Sequence, residues 1–319
     1  MLAVPNKANE AEQLKIDFIL CTRNRLENVL KLLESMNRLT SCSLAEVTIV
    51  DSSDVPITIN KNDYSEIGSI NLEFSKPGLP SQRNLGLSST RNPIVVFLDD
   101  DVVLAQNFIS ATLEEFSKNH EIAGLGYLLQ GVQFTERKIF KAISSKVKVK
   151  EYGQVTKTGK NFWYPELGEA DKYKSPMWLP GCAMAFRRVQ IEKKIFNPVL
   201  EKGILGGYAL GEDVDFTLSL LKEGKRFGLC HTTIVNHYEA PGERDNTIEL
   251  ARAQGHWLNY LSKSHKNFVR RNWVISRLFG EFVYLKLAKY FNRGSLNAQI
   301  CSRERLFNFL GSSPYSKQN

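Results

Sequence analysis

Three carboxylates stand together at Asp99, Asp100 and Asp101, directly after the wholly apolar run 94–98. Adjacent like charges repel, so a fold keeps them either in water or around a cation. Hard divalent ions take carboxylate oxygens, and Mg2+ or Mn2+ combines one or two of them with substrate phosphates. A second acidic cluster, GEDVDF at residues 211–216, opens a helical pattern. Glu212 and Asp213 suit the positive end of a helix dipole, and one carboxylate projecting into a pocket could act as general base. His237 ends an apolar stretch ahead of the turn signal YEAPG at 238–242. An imidazole there could join a metal shell, with His231 as the competing candidate. Arg83 follows the turn PGLP at 77–80, where a guanidinium could clamp a diphosphate. Each residue also has an ordinary reading: a solvated acidic turn, a helix-start cluster, a structural histidine, a surface arginine.

The elements around these residues add weight. Residues 16–21, 47–50, 70–74 and 94–98 read as short apolar strands. Between them, Asn24 can cap a helix with the stripe Leu26, Val29, Leu30 and Leu33, and a second helix is expected from about 80 to 89. A third is expected over 105–118. Strands alternating with helices imply a parallel sheet with crossover connections, whose ligand crevice lies outside the strands' carboxyl ends. Thr22 and Arg23 follow the first strand, Asp51 the second, and the three aspartates the fourth. Chain-distant polar residues thus converge on one crevice. Residues 130–175 form a basic, turn-rich stretch with aromatics, read as a lid or insertion over the site. Regularity returns at 178–187, with a helix over 213–223, strands over 227–230 and 233–237, and mostly helix from 245 onward.

The chain has 319 residues, 42% apolar and 24% charged, the composition of a globular protein of one large or two small domains. Its net charge of +8 is concentrated at one end. Residues 262–319 carry 11 Lys/Arg against two Asp/Glu, a net of +9; the rest carries 31 basic and 32 acidic residues, a net of −1. Five scattered cysteines without a C-x-x-C pair argue against a disulfide framework or a zinc site and fit a reducing cytoplasm. The start MLAVPNKANEAEQLK lacks the basic-then-apolar order of a signal peptide, and no window reaches 18 uninterrupted apolar residues. Secretion and a bilayer-spanning helix are therefore not expected.

Seven segments in order resemble the family 2 glycosyltransferases of the GT-A fold: CTRNR (21–25), IVDSSD (49–54), GLPSQRNLGL (78–87), VVFLDDDV (95–102), PGCAMAFRR (180–188), GEDVDF (211–216) and VNH (235–237). Together they span residues 14–240, roughly 70% of the chain. The resemblance implies an α/β, nucleotide-diphospho-sugar transferase fold: a mostly parallel central sheet flanked by helices, with a C-terminal helical extension. The expected organisation is an arm at 1–13, a catalytic domain at 14–244 and a basic helical extension at 245–319. Thr22, Arg25 and Asp51 would line the base and ribose pocket, and Arg83 would lie beside the base or diphosphate. Asp99 would approach the ribose, Asp100 would occupy the variable middle position of the DXD pattern, and Asp101 would hold the divalent metal. Asp213 looks like the general base, with Glu212 as its paired acid, and His237 matches a histidine that completes the metal shell.

The same resemblance implies inversion at the anomeric carbon, a divalent metal (Mn2+ or Mg2+) as cofactor, and a nucleotide-sugar donor. Uridine is the first base to consider because the family uses it often, with GDP- and dTDP-sugars open. A glycan or lipid-linked glycan is the implied acceptor. Gln254-Gly255-His256-Trp257 has neither the arginine nor the spacing of the Q-x-x-R-W motif of processive synthases, which favours addition of one or a few sugars.

In the tail, Ile275, Leu278, Phe279 and Phe282 share one helical face that Lys286, Lys289 and Arg293 prolong. That pattern suits either an interfacial helix on an anionic membrane or packing onto the catalytic domain. Cytoplasmic placement with peripheral membrane association is the resulting expectation. Nucleic acid is not an expected partner, since basic charge is its only support. Two rivals remain at this stage. A sugar-phosphate nucleotidylyltransferase should carry a Gly-rich loop after the first strand, where this chain has Thr22-Arg23-Asn24-Arg25. An inactive carbohydrate- or membrane-associated scaffold would be favoured by loss of Asp101, Asp213 or His237, all of which are present.

Overall fold

The computed structural model describes residues 15–131, 153–161, 175–201, 210–238, 248–290 and 296–311. Among these, eight strands share one sheet: β1 (Ile16–Thr22), β2 (Ala45–Asp51), β3 (Ser69–Phe74), β4 (Ile94–Asp99), β5 (Val102–Leu104), β6 (Ile122–Gln130), β7 (Ala183–Arg187) and β8 (Arg226–His237). The order across the sheet is β3-β2-β1-β4-β7-β6-β8-β5. The first four run parallel, and every residue of β1 is buried, as expected for strands covered on both faces.

Alternation along each strand sends successive side chains to opposite faces. Phe18, Leu20, Val47, Ile49, Val96 and Leu98 pack on one face with α1 (Leu26–Asn37) and α3 (Phe108–Lys118). Ile19, Cys21, Val50, Val95 and Phe97 pack on the other, with Leu85 and Leu87 of α2 (Leu79–Ser89) and Phe216 and Leu220 of α5 (Glu212–Lys222). The short α4 (Arg188–Ile191) follows β7.

Register places the functional candidates at one edge. Thr22 pairs with Asp51 and Cys21 with Asp99, so β1, β2 and β4 end level. β7 runs antiparallel to β4, with Ala183 opposite Leu98, which brings the preceding Gly181 to the same edge. β5 and β8 are antiparallel, with Val102 opposite His237, and this sets the end of β8 beside Asp101.

Two elements depart from the sequence reading. β6 was hidden by Gly124 and Gly126, which interrupt its apolar run; a Cβ at Gly124 would stand 2.7 Å from the Phe186 ring. The two strands expected over 227–237 are one strand, whose pairing with β6 shifts register between Tyr127 and Leu128. β5 and β7 pair antiparallel, while β3-β2-β1-β4 and β6-β8 pair parallel, in keeping with the mostly parallel sheet expected. Most of the lid expected over 130–175, and the arm at 1–13, lie outside the described residues.

The C-terminal extension comprises α6 (Ile248–Ser264), α7 (Arg271–Tyr290) and α8 (Leu296–Leu310). Leu258, Leu261, Val274, Leu278, Leu306 and Phe309 share a core with Val214 and Leu218 of α5. The extension is thus packed directly onto the helix that begins with Glu212 and Asp213. Among the described residues, no helix is long and apolar enough to cross a membrane.

Candidate active site

Beyond β4 the chain turns, and the three aspartates separate by direction. Asp99 and Asp101 converge with His237, their candidate ligand atoms lying within 4.8 Å of one another. His237 Nε2 is 3.1 Å from Asp101 Oδ1. Two carboxylates and an imidazole, half-buried at a sheet edge, fit a divalent cation by donor type and number. Burial raises the Asp99 carboxyl above its ordinary range, against the lowering effect of Arg83. At Asp101 burial acts the same way, but the hydrogen bond and charge of His237, with Arg25, outweigh it and hold the group low.

Asp100 points elsewhere. It is buried, accepts a 2.7 Å hydrogen bond from Thr22 Oγ1 and pairs with Arg25 at 3.0 Å. The middle acid of the triplet therefore fastens the end of β1 and the start of α1 to the end of β4. Thr22 is buried as well. Arg25 sits half-exposed at the start of α1, with Asp101 a further 3.6 Å partner.

Arg83, expected beside the base or diphosphate, is the centre of a second, buried network. It is 1% exposed. One guanidinium nitrogen donates to Glu212 Oε1 at 2.8 Å; the other donates to Asp99 Oδ1 and to the Gly181 carbonyl, both at 3.0 Å. The ring of Phe196 lies 5.4 Å from the guanidinium carbon. A Cβ at Gly181 would approach Arg83 Nη2 to 2.9 Å, so a side chain there would have to displace the guanidinium. Burial alone would weaken the cation, but Glu212 and Asp99 more than offset it. Removing one member of a buried ion pair strands its partners at a cost of about 3–5 kcal/mol. Arg83→Met is therefore expected to lower stability by that amount in urea denaturation. Adding Glu212→Leu should recover part of the loss, and Arg83→Lys should not match wild type, because a single ammonium cannot reproduce the forked bridge.

Asp213 stands next to this network. Its Oδ2 accepts from the Gly181 N–H at 2.9 Å and its Oδ1 from the Val214 N–H at 2.7 Å. Burial and the neighbouring Glu212 charge raise its pKa to about 7, in spite of Arg83 and the two N–H donors. Glu212 is buried and committed to Arg83. Of the acidic pair, Asp213 is the member with a half-buried carboxyl poised near neutrality.

Asp51 lies at the expected strand end, but both its oxygens are occupied within the chain. It accepts from Ser53 N–H and O–H and from Ile57 N–H, and so shapes the loop after β2. His231 is exposed on β8 and takes no part in the Asp99–Asp101–His237 group.

Sequence reasoning missed the links to α6. Asp215 Oδ1 accepts from Tyr260 O–H at 3.0 Å and lies 2.6 Å from His265 Nε2, with Asp215 and His265 both buried. Asn197 donates to the same Tyr260 oxygen at 2.7 Å. Gly211, with φ 71°, caps α5 where a Cβ would meet the Trp257 ring at 2.3 Å. The GEDVDF run exposes Asp215 to view, yet nothing local points to a histidine 50 residues downstream.

The comparisons with known proteins agree with this architecture. No curated protein matches the sequence. Among solved structures, TarS 1-349 from S. aureus is 15% identical over 93% of this chain and 80% of that one, with a TM-score of 0.51. The mannosyltransferase PcManGT from Pyrobaculum calidifontis, in complex with GDP-Man and Mn2+, is 13% identical over 92% of this chain and 69% of that one, TM-score 0.50. GalNAc-T7 with UDP, GalNAc and Mn2+ is 12% identical over 93% of this chain and 55% of that one, TM-score 0.55. At these identities the likeness concerns the fold. The model named Glycosyl transferase family 2 matches residues 17–193, more than half of the sequence, a stretch that contains the DXD triplet and Arg83. The chain therefore belongs to glycosyl transferase family 2, and it is a glycosyltransferase.

Proposed function

We propose that the protein moves a sugar from a nucleotide-sugar donor to an acceptor hydroxyl with inversion, assisted by a divalent metal. One observation carries this reading. Gly181 holds Asp213 through its N–H and Arg83 through its carbonyl, and Arg83 in turn holds Asp99 of the Asp99–Asp101–His237 group. A candidate base and a candidate cation site are thereby braced on one hydrogen-bonded frame.

Asp99, Asp101 and His237 would hold the metal, which when bound neutralises charge on the departing diphosphate. Asp213 takes the proton of the attacking hydroxyl, whose oxygen forms the new bond to the anomeric carbon. The bond from that carbon to the diphosphate oxygen breaks, and its electron pair leaves with the nucleoside diphosphate. One carboxylate suffices for this direct displacement, so Glu212 is free to serve Arg83 as a structural partner. Arg83 acts as a positioning residue, keeping Asp99 and Glu212 in place from beneath. Thr22, Arg25, Asp51 and Asp100 shape the floor and rim of the nucleotide pocket.

The donor carries a nucleoside diphosphate, of uridine, guanosine or thymidine. PcManGT with GDP-Man and GalNAc-T7 with UDP illustrate two such nucleotides on this fold. The acceptor is a glycan or lipid-linked glycan in surface polysaccharide or glycolipid synthesis, reached from the cytoplasm. Release of nucleoside diphosphate from a panel of UDP-, GDP- and dTDP-sugars identifies the donor. NMR of the product then reads the new linkage: an α-linked donor is expected to give a β-linked product. An α-linked product would overturn the direct displacement.

A further inference from the structure

The apolar face that the tail sequence suggests is not the face left open. Ile275, Leu278 and Phe282 of α7 pack inward with α5, α6 and α8, whereas Phe279 is 57% exposed. A different stripe faces outward: Trp273, Phe279, Val283, Tyr284 and Leu287 are all exposed. At 3.6 residues per turn these five fall within a sector of about 140°. The other described side chains of α7 in that sector are those of Asn272 and Ser276, with Gly280 alongside, so no charge interrupts it among the described residues. Leu296, Phe307 and Leu310 of α8 are exposed as well, on one face of that helix with Arg303 among them. Of the fourteen exposed large hydrophobic residues among those described, eight belong to these two helices.

We propose that this outer face of α7 and α8 seats the protein on the surface of an anionic lipid bilayer, with α7 lying in the interfacial plane. Two observations choose that occupant over a second copy of the chain. Residues 262–319 carry a net of +9 against −1 for the remainder, which draws this end toward anionic headgroups and sets two such ends against each other. The stripe also combines tryptophan, tyrosine, phenylalanine and leucine without charge, with the exposed Lys286 on its border. That is the composition of a helix lying in the headgroup region. Neither argument depends on the transferase reading, because attachment is measured without sugar transfer.

The test is co-sedimentation of the full chain with vesicles of phosphatidylcholine alone or mixed with phosphatidylglycerol, at low and high salt. Wild type is expected to sediment with the mixed vesicles and to be released by salt. The double variant Phe279→Ser/Leu287→Ser is expected to bind at least about tenfold more weakly. Both positions are exposed, so circular dichroism and the melting temperature should stay at wild-type values. Absence of wild-type binding to the mixed vesicles, or equal binding by the variant, would overturn the proposal. So would light scattering that shows a dimer which the double variant dissociates, since the face would then join two copies.

Discussion

Asp213→Asn is expected to reduce sugar transfer by about 10^2–10^4-fold, the contribution of a positioned general base. Nucleotide affinity should stay within about twofold, because the change leaves Asp99, Asp101 and His237 untouched. The pH profile supplies an independent readout. Burial and the Glu212 charge raise the Asp213 pKa to about 7. A base acts in its unprotonated form, so kcat/KM should climb with pH and level off above about 7. Below that point it should fall roughly tenfold per pH unit. In Asp213→Asn the limb should vanish along with the activity it reports. A variant with near-normal turnover and an unchanged limb would move the base to another group. Glu212 is poorly placed to be that group, since its carboxylate is buried against Arg83.

The second large effect concerns the cation. Asp101→Ala and His237→Ala are each expected to weaken metal-dependent nucleotide binding on the order of 100-fold, as loss of one ligand from a three-residue set. The double variant should be little worse than either single one, because the pair acts as a unit. Titration of a UDP or GDP ligand with and without Mn2+, by calorimetry, reads both quantities. Asp100→Ala provides the contrast within the same triplet. Its carboxylate serves Thr22 and Arg25, so its loss should cost about 1–3 kcal/mol of stability while the metal dependence persists. If Asp100→Ala abolished the metal dependence and Asp101→Ala did not, the assignment within the triplet would be reversed.

Much of this arrangement was legible in the residues, and the limits of legibility have physical causes. Apolar runs ending in polar residues pointed to strand ends at Thr22, Asp51 and Asp99, and the parallel register set those ends level. The position of His237 beside Asp101 follows from an antiparallel β5–β8 pairing, and a three-residue strand such as β5 leaves almost no periodic signal. Arg83 illustrates a deeper limit. A lone arginine after a turn reads as a diphosphate clamp or a surface group, and its burial depends on Gly181, Glu212 and Phe196, which come from distant segments. The tail shows the limit of helical periodicity itself. α7 carries apolar residues on nearly every side, so spacing alone could not tell the packed Ile275, Leu278 and Phe282 from the exposed Trp273, Val283 and Leu287. Only the position of α5 and its neighbours decides which side is covered.

The frame runs from Asp213 through Gly181 and Arg83 to Asp99, and the helix that carries Asp213 is also the one onto which the extension packs. α5 carries the acidic pair at its first turn and buries Val214 and Leu218 against α6, α7 and α8. Asp215 ties the same turn to Tyr260 and His265 on the far side. The candidate base is thereby held from the sheet edge and from the helical extension together, which limits the freedom of its carboxyl.

The most direct measurement is the shift in melting temperature of wild type and Asp101→Ala with UDP, GDP, dTDP and CDP, each with and without Mn2+ or Mg2+. A ligand that binds only the folded state raises its stability by mass action. The expected result is a rise with one nucleoside diphosphate that requires the metal and is lost in Asp101→Ala. A rise of equal size in Asp101→Ala, or none with any nucleotide in wild type, would contradict a metal-dependent nucleotide-sugar site built on Asp99, Asp101 and His237.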